Sequence, residues 1–103
     1  MNKEITYHSV RFVWDEEKET DVYTARHIHF ADAITVFDDW TRYEERDERH
    51  STFFEERFKT IGTAVVNGVP MVITVVYMVH DDDVIRIITA WKATAEEVKK
   101  NKG

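Results

Sequence analysis

Residues 54–79 read FEERFKTIGTAVV-NG-VPMVITVVYMV, two apolar runs hinged on Asn67-Gly68. Asn-Gly between such runs is the strongest short-range hairpin signal, because both residues accept the positive φ that a tight two-residue turn needs. The run 54–66 and the run 69–79 are therefore expected to pair. The second is apolar almost throughout, so it is expected at the centre of a sheet, covered on both faces. His80 to Asp83 supply the next turn, and VIRIITAW (84–91) reads as the last strand.

Upstream, ITYHSVRFVW (5–14) is rich in β-branched and aromatic residues and reads as one strand. Asp15 is placed as a helix N-cap, with Glu16 and Glu17 in the electropositive first turn of a helix over 16–26. Phe30, Ala33, Ile34 and Phe37 fall on one stripe of a second short helix, 31–38. The charged stretch 39–52 is irregular, with Trp40 and Tyr43 anchoring a short edge strand. Thr94 and Glu97 have capping-box spacing, so 94–100 closes as a helix. The expected architecture is α+β: an N-terminal strand and two helices packed on one face of an antiparallel β-meander, then a short C-terminal helix.

With 103 residues and no linker or repeat, 1–103 is read as a single domain. Cysteine is absent, which excludes disulfides and cysteine zinc sites. No apolar run is long enough for a membrane span, and the first ten residues lack a signal-peptide core, so a cytoplasmic protein is expected. Net charge is −6. Residues 1–83 carry 9 basic and 18 acidic side chains, whereas 84–103 carry 5 and 2. An acidic body with a basic end can dock a basic partner or a polyanion; the commoner meaning of such charge is a solvated surface. No glycine-rich phosphate loop or serine nucleophile motif is present.

Alternation places Arg57 and Lys59 on one side of their strand, and Arg86, Ile88, Ala90 and Lys92 on one side of theirs. If those faces coincide, four cations converge, and guanidinium forks suit phosphate oxygens. The competing reading is that Arg57 pairs with Glu55 or Glu56 and the rest is solvated. Alternation also sends Glu55 and Glu56 to opposite faces, so only one of them can sit beside Arg57. His50 can act as a general acid or base near neutral pH. His27 and His29 would share a face in an extended segment, as a metal pair would, but carboxylates are too abundant for their neighbours to mean anything, and no metal or cofactor is assigned. Asp81-Asp82-Asp83 lacks the glycine and glutamate of a calcium loop and reads as a turn.

Several pieces fall in a characteristic order: Phe12-Val-Trp14-Asp15-Glu-Glu-Lys18, Ile28-His-Phe30-Ala-Asp-Ala33, Phe37-Asp38-Asp39, Asp47-Glu-Arg49-His50, Glu55-Glu56-Arg57-Phe58, Ile61-Gly62, Ile85 to Ala90, and Ala93-Thr94. This ordered set resembles the BrnT toxins over about residues 11–98. The resemblance implies a RelE-like fold and an endoribonuclease that inhibits translation by metal-independent cleavage of mRNA. It implies a BrnA-type ribbon-helix-helix antitoxin as partner, and operator DNA contacted only through that antitoxin. It carries His50, Glu56, Arg57 and Arg86 over as catalytic residues, with Lys92 in support; by their charge or aromatic ring, Arg26, Lys59, Trp91 and Lys92 are expected to bind RNA. Two positions depart from the family pattern. Ala25-Arg26 stands where Lys-His is usual, and Trp91-Lys92 where paired arginines are usual. These departures support an alternative, a catalytically weakened relative that works by antitoxin binding and transcriptional co-regulation.

Overall fold

The computed structural model describes residues 1–49, 51–80 and 83–102. Six strands form one mixed sheet: β1 (Asn2–Tyr7), β2 (Val10–Asp15), β3 (Tyr43–Arg46), β4 (Phe58–Val66), β5 (Val69–Val79) and β6 (Ile85–Lys92). Their spatial order is β1-β2-β6-β5-β4-β3. The helices are α1 (Glu16–Arg26), α2 (Phe30–Ala33), continued by a 3-10 helix (Ile34–Asp38), and α3 (Ala95–Lys102). None of them is long and apolar enough to cross a membrane.

The hairpin at Asn67-Gly68 forms as expected, with φ of 52° and 77°. It pairs β4 with β5 over nine residues, from Phe58 opposite Tyr77 to Val66 opposite Val69. β5 lies centrally, and Ile73 to Val76 are fully buried along it. The Asp15 carboxylate accepts from the Glu17 backbone N–H at 2.8 Å and starts α1.

Three expectations are corrected. The single strand over 5–14 is an antiparallel pair, β1 and β2, turned at His8 and Ser9 with φ of 51° and 67°. Neither residue is glycine, so the turn leaves little trace in the sequence. The sheet is not a pure antiparallel meander, because β2 runs parallel to β6, with Phe12 opposite Ile85 and Val13 opposite Arg86. Finally, the helices do not all share a face. One side of the sheet carries Phe12, Trp14, Ala64, Ile73, Val75, Ile87 and Ala90 into a core with Val22, Phe30, Ile34 and Val36 of α1, α2 and the 3-10 helix. The other side bears Lys59, Thr74 and Trp91, and there α3 docks through Glu97.

β3 covers only the first four residues of β4, from Phe58 to Ile61. Beyond it, the outward backbone N–H groups of Thr63, Val65 and Asn67 donate to Asp39 Oδ2 (2.9 Å), Thr35 Oγ1 (2.8 Å) and Asp32 Oδ2 (3.0 Å). Side chains spaced along a helical segment thus satisfy alternate residues of an otherwise open strand edge. This close seat explains Gly62. A Cβ there would stand 2.8 Å from Arg42 Cβ and 3.1 Å from Val36 Cγ2. Gly62→Ala is expected to lower unfolding free energy by about 1–3 kcal/mol, as overpacking does. Urea unfolding measures it; an unchanged midpoint would show that the helical segment gives way freely.

Candidate functional site

The site is built on the face that carries α3 and on the adjacent end of the sheet. Arg86 pairs with Met78 of β5. Arg57 directly precedes Phe58, whose partner is Tyr77, so the two arginines approach the same end of the sheet with β5 between them. Two strand spacings separate their backbones, about 10 Å. Their side chains diverge: Arg86 reaches over β2 to Asn2 of β1, on the side of β6 away from Arg57.

A fold-back loop holds Arg57. Its backbone N–H donates to Ser51 Oγ at 2.9 Å, and its carbonyl accepts from Asp47 N at 2.8 Å. One guanidinium nitrogen donates to Glu55 Oε2 at 3.1 Å. Its Nε is buried and has no hydrogen-bond partner among the described residues. A buried charged donor left unpaired is costly, and an anionic oxygen would relieve it. Arg86 donates to Asn2 Oδ1 at 3.2 Å and is half-buried.

Both glutamates precede the first residue of β4, so strand alternation does not govern them. Glu55 bonds Arg57, while the Glu56 carboxylate accepts from Arg46 Nε at 3.0 Å. An open cleft of about 530 Å³ lies here, lined by Phe54, Glu55, Glu56, Phe58, Met78, Val79 and His80. His80, expected only as a turn residue, is exposed and lines this cleft just after the end of β5. His50 lies outside the described residues, as do Asp81 and Asp82 of the acidic run.

The four expected RNA-binding residues do not form one group. Lys59 Nζ lies 3.2 Å from Glu45 Oε1 and 4.0 Å from Glu97 Oε2. Trp91 joins it on the α3 face, its indole N–H donating to Glu97 Oε1 at 3.0 Å. Lys92 does not join them. The register of β6 slips between Val76 and Tyr77 of its partner, Thr89 facing the former and Ile87 the latter. The extra residue, Ile88, breaks the alternation. Arg86 and Trp91 therefore share the α3 face, while Lys92, opposite Ile73, takes the other. Arg26, at the end of α1, donates to the Ala90 carbonyl at 3.2 Å and to Thr89 Oγ1 at 3.3 Å. His27 and His29 both lie against Tyr23, edge-on at 5.7 Å and stacked at 4.0 Å between ring centres.

Glu97 ties α3 to the sheet. The capping box is complete: Thr94 N donates to Glu97 Oε1 at 2.9 Å and Glu97 N to Thr94 Oγ1 at 3.2 Å. Burial pushes the Glu97 pKa up, but the Thr94 N–H, the Trp91 indole and the Lys59 charge outweigh it and hold the carboxyl below its ordinary value. A pKa lower in the folded than in the unfolded chain stabilises fully above the unfolded value of about 4.3 and is lost as pH falls through the folded one. The melting temperature is thus expected to drop on acidification from about pH 6 to about pH 3. Glu97→Gln flattens that drop; identical pH profiles for the two proteins would remove Glu97 from this role.

The chain is a small α+β protein whose Arg57 and Arg86 backbones lie at one end of the sheet, and the Arg57 Nε is buried with no hydrogen-bond partner among the described residues. Residues 14–97 match the family model described as "Ribonuclease toxin, BrnT, of type II toxin-antitoxin system". The chain belongs to this family: it is a BrnT-type ribonuclease toxin of a type II toxin–antitoxin system. No curated protein matches it.

Proposed function

We propose that the chain, acting as one RelE-like domain in the cytoplasm, cleaves mRNA without a metal ion and so stops translation. The ribose 2′-oxygen attacks the adjacent phosphorus and the 5′-oxygen of the next nucleotide leaves. A 2′,3′-cyclic phosphate and a 5′-hydroxyl result. Glu56 or His50 takes the proton from the 2′-hydroxyl, and a protonated group returns one to the leaving oxygen. Arg57 and Arg86 stabilise the extra negative charge that builds on the phosphoryl oxygens. The observation that carries this reading is the buried Nε of Arg57, which has no hydrogen-bond partner among the described residues and whose backbone lies at the same end of the sheet as that of Arg86. Lys59 and Trp91, on the α3 face, contact the flanking RNA; Arg26 and Lys92, expected as RNA-binding too, reach it only where the RNA strand wraps to the other side of the sheet. A BrnA-type ribbon-helix-helix antitoxin neutralises the toxin, and the complex reaches operator DNA through the antitoxin alone.

The test is incubation of the purified chain with end-labelled RNA in excess EDTA. Fragments ending in 2′,3′-cyclic phosphate are expected. Intact RNA, with and without added ribosomes, would overturn the cleavage mechanism and leave the second reading, a relative that acts only by binding its antitoxin and tuning transcription. A specific arrangement favours that reading. Arg26, which stands where the family usually has a titratable histidine, is committed to the β6 backbone, and Lys59 is already flanked by two carboxylates.

A further inference from the structure

The loop between β3 and β4 carries a feature that RNA cleavage does not use. Thr52 to Glu55 close a tight turn: Thr52 N donates to the Glu55 carbonyl at 2.7 Å, and Glu55 N to Thr52 Oγ1 at 3.0 Å. Phe53 and Phe54 occupy its tip. They are 95% and 90% exposed, and their rings meet edge-to-face at 5.1 Å. The base of the loop is anchored by the Asp47, Ser51 and Arg57 bonds already described. Two large apolar side chains are thus held out into water by a hydrogen-bonded turn. Exposure of this kind in a small protein marks a contact surface. The apolar surface continues from Phe54 along the cleft to Phe58, Met78 and the half-exposed Val79.

We infer that the Phe53-Phe54 tip and this cleft form the docking point of the antitoxin, a protein segment with apolar anchors flanked by basic side chains. This rests on the antitoxin-neutralised reading above. Charge decides the partner's chemistry. Residues 44–57 hold six acidic side chains and three basic ones, and residues 1–83 as a whole hold 18 acidic and 9 basic. Glu55 and Glu56 line the same cleft as Phe54. Exposed aromatics can also stack RNA bases, but that use needs cations beside the rings for the phosphates, and the residues that line the cleft with Phe54 include no lysine or arginine. A basic polypeptide meets both halves of the surface, placing its apolar side chains on the rings and its cations on the glutamates, where they compete with the solvent-exposed pairs to Arg57 and Arg46. The turn is already formed, so little ordering is needed on this side of the contact. Glu56 and Arg57 follow Phe54 within three residues, so a segment seated on the tip covers the cleavage site directly. Neutralisation then works by occlusion.

The test compares the native chain with Phe53→Ser/Phe54→Ser, using the antitoxin protein encoded together with this toxin as the probe. Both side chains are nearly fully exposed, so folding is retained and is checked by circular dichroism. The expected result is antitoxin binding weakened by about 100-fold or more in titration calorimetry, as for loss of two anchor residues. Phe53→Ser alone, outside the residues that line the cleft, leaves RNA cleavage by the free toxin within about twofold of native, and added antitoxin suppresses that cleavage less. Affinity for the native chain also falls with rising salt. Equal antitoxin affinity in the variant overturns the docking site while leaving the toxin–antitoxin reading intact. Failure of the native chain itself to bind the antitoxin overturns both. Loss of RNA binding with antitoxin affinity intact would make the tip an RNA platform. A change in mass of the isolated toxin, with antitoxin affinity intact, would make it a contact between copies. Either result contradicts the inference.

Discussion

Replacing Arg57 and Arg86 together with alanine is expected to reduce single-turnover RNA cleavage by about a thousandfold or more, and each single change by about a hundredfold. In the proposed mechanism each guanidinium faces the phosphoryl oxygens. Charge accumulates on the phosphoryl oxygens only as the 2′-oxygen bonds to phosphorus, so a donor placed there acts mainly on the rate. Less than multiplicative loss in the double variant would mean that the arginines act as one unit. The fold survives because neither side chain is a core residue: Arg86 bonds Asn2 at the surface, and Arg57 bonds Glu55. Arg57→Lys restores little, since a single ammonium lacks the planar fork. Native cleavage rates in the double variant would take the chemistry away from this end of the sheet.

The largest effect on stability is expected at Trp14. This side chain is buried between β2 and α2, edge-to-face with Phe30 at 6.2 Å. Its indole N–H donates to Glu19 Oε1 at 3.1 Å, while Glu19 Oε2 accepts from Phe30 N at 2.8 Å. One glutamate therefore stitches α1 to the strand before it and to the helix after it. Trp14→Ala leaves a large void and removes one of the two bonds, costing about 3–5 kcal/mol. For a domain of this size that is a fall in melting temperature of at least about 12 °C, against a typical total stability of about 5–15 kcal/mol. Trp40 provides the contrast. It is 88% exposed, and Trp40→Ala is expected to shift stability by less than about 0.5 kcal/mol. Equal effects at the two tryptophans, measured by thermal unfolding, would contradict the description of the core.

Local signals were readable where one or two residues determine the backbone. Asp15 with its two following glutamates marked the start of α1, Asn67-Gly68 marked the central hairpin, and Thr94 with Glu97 marked α3; each is realised by the expected bonds or dihedrals. What escaped was set by tertiary partners. His8 and Ser9 accept positive φ because β1 and β2 pair on either side of them, and nothing in their composition announces a turn. Ile88 looks like any other strand residue, yet the slip beside it moves Lys92 away from Arg86. Alternation rightly put Lys59 on the face of Arg86, but the carboxylates that neutralise Lys59 come from β3 and α3, elements with no fixed relation to it in sequence. The placement of the Arg57 and Arg86 backbones near one sheet end was therefore legible, whereas the partners of the candidate side chains were not.

The central claim is that the scissile phosphate sits between Arg57 and Arg86. It is tested most directly by a crystal structure of the chain bound to an RNA whose nucleotide at the cut carries a 2′-deoxyribose, which blocks attack and preserves the complex. The expected result is a phosphate oxygen on the Arg57 Nε, with the Arg86 guanidinium on the same or the adjoining phosphate. A scissile phosphate held instead by Arg26 and Lys92, on the opposite side of the sheet, would contradict it.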